Sequence, residues 1–108
     1  MDLIGRIIVS VKLLMTWDII PGREQEYFEF VVREFIPGIQ QLGLEPTDAW
    51  VTVYGKQPQI LTAIQAGSKE TLDEILASHE WDSLLIRLED YVDNLVSKTV
   101  LNKPGFQM

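Results

Sequence analysis

The chain has 108 residues, 46% of them hydrophobic and 23% charged, and no cysteine; this fits one globular domain over 1–108 and excludes disulfides, thiolate metal sites, iron–sulfur clusters and thiol nucleophiles. Nine Lys plus Arg against sixteen Asp plus Glu give a net charge of -7, so a phosphate backbone is repelled and nucleic acid is excluded as the natural partner. The apolar run from Ile7 to Met15 is broken by Ser10 and Lys12, falls short of the roughly 20 residues of a membrane helix and is followed by no small-residue cleavage site, so a soluble, cytoplasmic protein with no membrane partner is expected.

From Arg6 to Trp17 one parity is wholly apolar (Ile7, Val9, Val11, Leu13, Met15, Trp17), while the other mixes Ile8, Ser10, Lys12, Leu14 and Thr16, which predicts a long strand with one fully buried face. Pro21 and Gly22 end it, and Glu24, Glu26 and Glu29 put negative charge where a helix N-terminus favours it, so a helix starts near Arg23. Phe28, Val31, Val32, Phe35, Ile39 and Leu42 give its apolar stripe and Gly43 its stop, with a kink or broken last turn expected at Pro37. Ala49 to Tyr54 and Ile60 to Ala66, joined by the polar turn Gly55 to Gln59, read as a hairpin. Ser68 caps a short helix from Lys69 carrying Leu72, Ile75 and Leu76; Ser78 caps a longer one whose stripe is Trp81, Leu84, Leu85, Leu88, Tyr91, Val92 and Leu95. Lys98 to Leu101 alternates like a last strand before Pro104 and Gly105 turn the tail.

The order strand, helix, strand, strand, helix, strand, joined by right-handed crossovers, gives an α+β, ferredoxin-like βαββαβ fold: a four-stranded antiparallel sheet with helices on one face. The other face carries Ile8, Ser10, Lys12, Leu14 and Thr16 of the first strand with either Trp50, Thr52 and Tyr54 or Ala49, Val51 and Val53 of the second, and either set is too apolar for water. The expected partner is a second copy, the two sheets packing face to face around a barrel-like cavity.

The run from Val11 through Pro21, Gly22, Arg23 and Glu24 into Tyr27 and Phe28 resembles the strand, Pro-Gly turn and helix opening of the dimeric α+β barrel superfamily, and Ser78, His79, Glu80, Trp81 is similar to its capped second-helix start. The resemblance covers nearly the whole chain and implies a homodimer. The superfamily includes cofactor-free antibiotic-type monooxygenases, haem-degrading enzymes and NIPSNAP-like proteins. The haem degraders use an Asn, Trp and His set with the histidine well along the second helix. Here those later positions offer Tyr91 and no histidine and the first strand no Asn, so haem is not implied and no cofactor is expected.

The motifs with a strong mechanical warrant, Walker loop, Rossmann glycines, HExxH, GxSxG and EF-hand, are all missing. His79 is the sole imidazole and thereby the candidate general base, or else a helix-cap residue that hydrogen-bonds a terminus. Lys12 shares the cavity-facing parity of its strand, where it orients an anionic ligand, snorkels to the rim or pairs with an acid of the second copy. Trp50, Thr52, Tyr54, Thr62 and Gln65 line the same expected pocket, or are ordinary sheet packing. The helical acidic residues read as a solvated face, and no metal site is expected. Three functions remain: a dimer binding a small apolar or anionic molecule between its sheets, a cofactor-independent monooxygenase acting on an electron-rich aromatic substrate, or a structural dimer without a cavity.

Overall fold

A computed structural model describes the backbone of residues 10–54 and 57–102 and the side chains of 11–52 and 59–101. Strand β1 (Ser10–Ile19) leads into α1 (Glu24–Phe30), a π-helical turn (Val31–Phe35) and α2 (Ile36–Gln41). The hairpin β2 (Glu45–Tyr54) and β3 (Gln57–Ala66) follows, then α3 (Lys69–Leu76), α4 (His79–Leu88) and β4 (Val92–Asn102). The sheet is antiparallel with the order β2-β3-β1-β4. This is the ferredoxin-like order, produced when each half of the chain makes a right-handed crossover on the same side of the sheet.

Alternation along β1 sets the layers. Val11, Leu13, Met15, Trp17 and Ile19 are all buried beneath the helices, while Lys12, Leu14, Thr16 and Asp18 face the other way and are half-buried. Register carries this division across the sheet: Thr16 pairs with Leu61, which pairs with Trp50, and Leu14 with Ala63. Ile60, Thr62, Ile64 and Ala66 take the helix side of β3 and complete the core. Ser68 and Ser78 cap α3 and α4, their side-chain oxygens accepting from the N–H groups of Thr71 and Trp81, and Gly43 ends α2 at φ +98°, a left-handed conformation that glycine adopts without steric cost.

Four expectations change. The first helical stripe is rotated: Tyr27 and Phe30 are buried, whereas Phe28 is 51% and Val32 66% exposed. The cause is the π turn, where the Ile36 N–H donates to the Val31 carbonyl five residues back. That turn lets Phe30 and Phe35, five apart, meet on the core side with ring centroids 6.2 Å apart. The irregularity expected at Pro37 thus falls one turn earlier, and Pro37 follows it in the first turn of α2, with no N–H of its own to donate back into the π turn. The last helix ends at Leu88, not Leu95, and Val92 belongs to β4, paired with Ile19. Val92 and Leu95 imitate a helical step of three because the ladder is irregular between them, where Asn94 lies at φ +59°, so both pack on the core side. A four-residue strand would also have left most of one edge of the ten-residue β1 unpaired. Finally, the hairpin strands are longer than expected: β2 begins at Glu45 rather than Ala49 and β3 at Gln57 rather than Ile60, so Gln57 to Gln59 are strand and not turn; β2 is an edge strand, which tolerates Pro46. The part of the first strand before residue 10, the turn at Gly55 and Lys56, and Pro104 and Gly105 lie outside the described residues.

Candidate functional site

Two polar-tipped aromatics meet in the core. Trp17 of β1 and Tyr27 of α1 are 2% and 3% exposed, so each needs a partner for its polar atom. They supply each other: the Trp17 Nε1–H donates to the Tyr27 hydroxyl at 2.9 Å. Trp17 also packs edge-on against Phe35, centroids 6.1 Å apart. The π turn brings Phe35 to this place, and π turns within helices are frequent at functional sites.

Beside this cluster lies a cavity of about 280 Å³ between the first helical layer and the β2-β3 side of the sheet. Trp17, Tyr27, Val31, Phe35 and Ile39 form its helical and central walls, and Pro46 to Ala49 with Ile60, Thr62 and Ile64 form the strand wall. Its surface is mainly apolar, and among the described residues the only ionisable ones in the lining are Tyr27 and Asp48. Thr62 donates through Oγ1 to the Asp48 carbonyl at 3.0 Å, which leaves its oxygen free to accept. Burial, opposed by the weaker effect of the indole hydrogen bond, pushes the Tyr27 phenol up to about 12, so it is a neutral donor throughout the physiological range. Apolar walls with a few fixed polar atoms are the general make-up of a small-molecule site.

The sheet divides the residues singled out from the sequence. Thr62 lines the cavity on the helix side. Lys12, paired with Gln65 and Val100, lies on the opposite face, as do Trp50 and Thr52 through their pairing with Leu61 and Gln59. Tyr54 pairs with Gln57 at the end of the hairpin, and its side chain lies outside the described residues. His79 is exposed at the first position of α4, in a surface groove that also carries the charged Arg33, Glu34, Glu80 and Arg87, where Arg87 and Glu34 form an ion pair. That groove is apart from the apolar cavity, and the two share no lining residue. Among the described residues no group of three or more His, Asp or Glu is disposed to hold a metal. Tyr27 is the site residue that the apolar stripe missed; a Trp on the buried parity of β1 and a Tyr early in the following helix were the available signal, since both need buried hydrogen-bond partners.

No family model matches the chain, and no curated protein matches it in sequence. Solved structures do match in shape. A NIPSNAP-domain protein from Burkholderia xenovorans superposes with a TM-score of 0.65 at 14% identity, over 88% of this chain and 96% of that one. A NIPSNAP-family protein from Agrobacterium tumefaciens does so with a TM-score of 0.65 at 18% identity, over 89% and 95%. The chain has the fold of the NIPSNAP proteins. A protein of the ethyl tert-butyl ether (EthD) family from Bacillus halodurans shares it as well, with a TM-score of 0.61 at 17% identity over 84% and 96%. At these identities the NIPSNAP-like likeness is one of architecture, and a site has to be argued from this chain's own residues.

Proposed function

We propose that this NIPSNAP-like chain is a small-molecule-binding protein whose site is the apolar cavity between the first helical layer and the sheet, and that it works as a homodimer joined through the uncovered sheet face. The observation that carries the binding reading is the cavity itself: about 280 Å³, mainly apolar, and furnished with the hydroxyls of Tyr27, Thr47 and Thr62. The expectation of a site between two sheets gives way to a site within each protomer. It holds neither the imidazole of His79 nor the amine of Lys12, so it offers no group that normally titrates near neutrality, and binding is preferred to monooxygenase-type turnover. Isothermal titration with naphthalene tests this: one site per chain is expected, and its absence overturns the reading.

The dimer is supported by the face opposite the helices. Trp50 is 51% and Val96 61% exposed there, with Leu14, Leu61 and Val100 half-buried between and beside them, and no described helix lies over them. Four strands about 4.8 Å apart and ten residues long present roughly 600 Å² in projection, in the range of the approximately 800 Å² per partner of a standard interface. On this reading Lys12, Trp50 and Thr52 are interface residues. Sedimentation at micromolar concentration should give twice the mass of 12.4 kDa; a monomer overturns the dimer and leaves the cavity untouched.

A further inference from the structure

The direction of the buried hydrogen bond fixes what the cavity presents to a ligand. An indole nitrogen can only donate, so in the Trp17–Tyr27 contact at 2.9 Å the phenol oxygen is the acceptor, and its own proton is turned away from the indole. Among the described residues that proton meets no acceptor, and Tyr27 forms part of the cavity wall. Thr62 has the opposite polarity, because its proton is taken by the Asp48 carbonyl at 3.0 Å. Among the described residues the cavity therefore combines one committed donor, Tyr27, with two hydroxyl acceptors, Thr62 and Thr47, the latter donating its proton to the Ala63 carbonyl at 3.2 Å, in a mainly apolar wall. Trp17, Tyr27 and Phe35 stand edge to face around it, with centroids 6.4 Å and 6.1 Å apart, which suits a flat ring system. Among the described residues no cation lines it, so a carboxylate would be buried without a counter-charge.

We infer that the cavity selects an uncharged, flat apolar molecule bearing a ketone- or quinone-type oxygen, which accepts the hydrogen bond of the Tyr27 hydroxyl. This rests on the binding reading above and narrows it: an anionic ligand is rejected.

Three probes with the same fused-ring body separate the terms: naphthalene, 2-acetylnaphthalene and 2-naphthoate, titrated at neutral pH with tryptophan fluorescence and calorimetry as readouts. The ketone should bind roughly five- to tenfold more tightly than naphthalene, the worth of one hydrogen bond made in place of an unpaired donor, and the carboxylate at least about tenfold more weakly than naphthalene. In Tyr27→Phe the ratio of ketone to naphthalene affinity should fall to within about twofold of one, with circular dichroism and a cooperative melt showing that the variant is folded. Equal binding of ketone and hydrocarbon by the wild-type chain, a preference for the carboxylate, or a ketone preference that survives in Tyr27→Phe each overturns the inference while leaving the cavity as a binding site. Failure of all three probes to bind overturns both. Should Tyr27→Phe not fold, the wild-type ratios decide alone.

Discussion

Removing the Tyr27 hydroxyl probes stability and site chemistry with one atom. In Tyr27→Phe the ring stays, but the Trp17 Nε1–H, on a side chain only 2% exposed, loses the oxygen 2.9 Å away. A buried donor left unpaired costs about 1–3 kcal/mol, which for a domain of this size lowers Tm by roughly 5–15 °C. Trp17→Phe, by contrast, removes the donor together with part of the large ring and costs through packing. In the double variant no orphaned donor remains, so the double cost should fall short of the sum of the singles by about 1–2 kcal/mol. Thermal and urea melts of the four proteins give the cycle. A coupling below about 0.5 kcal/mol refutes the reasoning: the indole N–H would then be reached by water through the cavity, the phenol proton would be free to turn, and the donor polarity assigned to the site would fall.

Because burial holds the Tyr27 phenol near 12 against 10.0 in the unfolded chain, its neutral form stabilises the fold fully below pH 10. That contribution is lost as pH rises from 10 to 12 and amounts to up to about 3 kcal/mol; Tyr27→Phe should show a shallower alkaline loss in melts over this window, and parallel curves would contradict it. Trp50→Asp combined with Val96→Asp places charge on the uncovered sheet face without touching the core; it should yield a folded monomer by sedimentation with naphthalene binding intact, and a persistent dimer would mean that another surface joins the copies. Ser78→Ala removes both the cap to the Trp81 N–H at 3.2 Å and the bond to the Ile75 carbonyl at 2.7 Å, so Tm should fall by roughly 4–8 °C, as for about 1 kcal/mol, with unchanged probe affinity; an unchanged Tm would show that the cap is replaced by water.

The layers of the fold were legible in the sequence because period-two patterning is local: the apolar parity of β1 names its buried face directly, and Ser68, Ser78 and Gly43 mark helix ends by their own chemistry. What was hidden depended on irregularity. A π turn of five residues (Val31–Phe35) shifts the phase of the first helix, so Phe28 and Val32 read as core when Tyr27 and Phe30 are. The irregular ladder around Asn94 makes Val92 and Leu95 look helical. The site was hidden for a related reason: Thr62 reads with Lys12 and Trp50 in the sequence, but which face a strand residue takes is set by register with its neighbours, and Thr62 pairs with the buried Met15 of β1 and with Ala49 of β2, which no local pattern in β3 announces.

The most direct test of where a ligand sits uses the indole N–H signals of the three tryptophans, which mark different places: Trp17 in the cavity wall, Trp50 on the uncovered sheet face and Trp81 in α4. In a ¹⁵N-resolved NMR titration with 2-acetylnaphthalene, binding in the cavity gives a saturable shift of the Trp17 Nε1–H resonance while those of Trp50 and Trp81 stay in place. A shift of Trp50 with Trp17 unmoved would put the ligand on the other side of the sheet and contradict it.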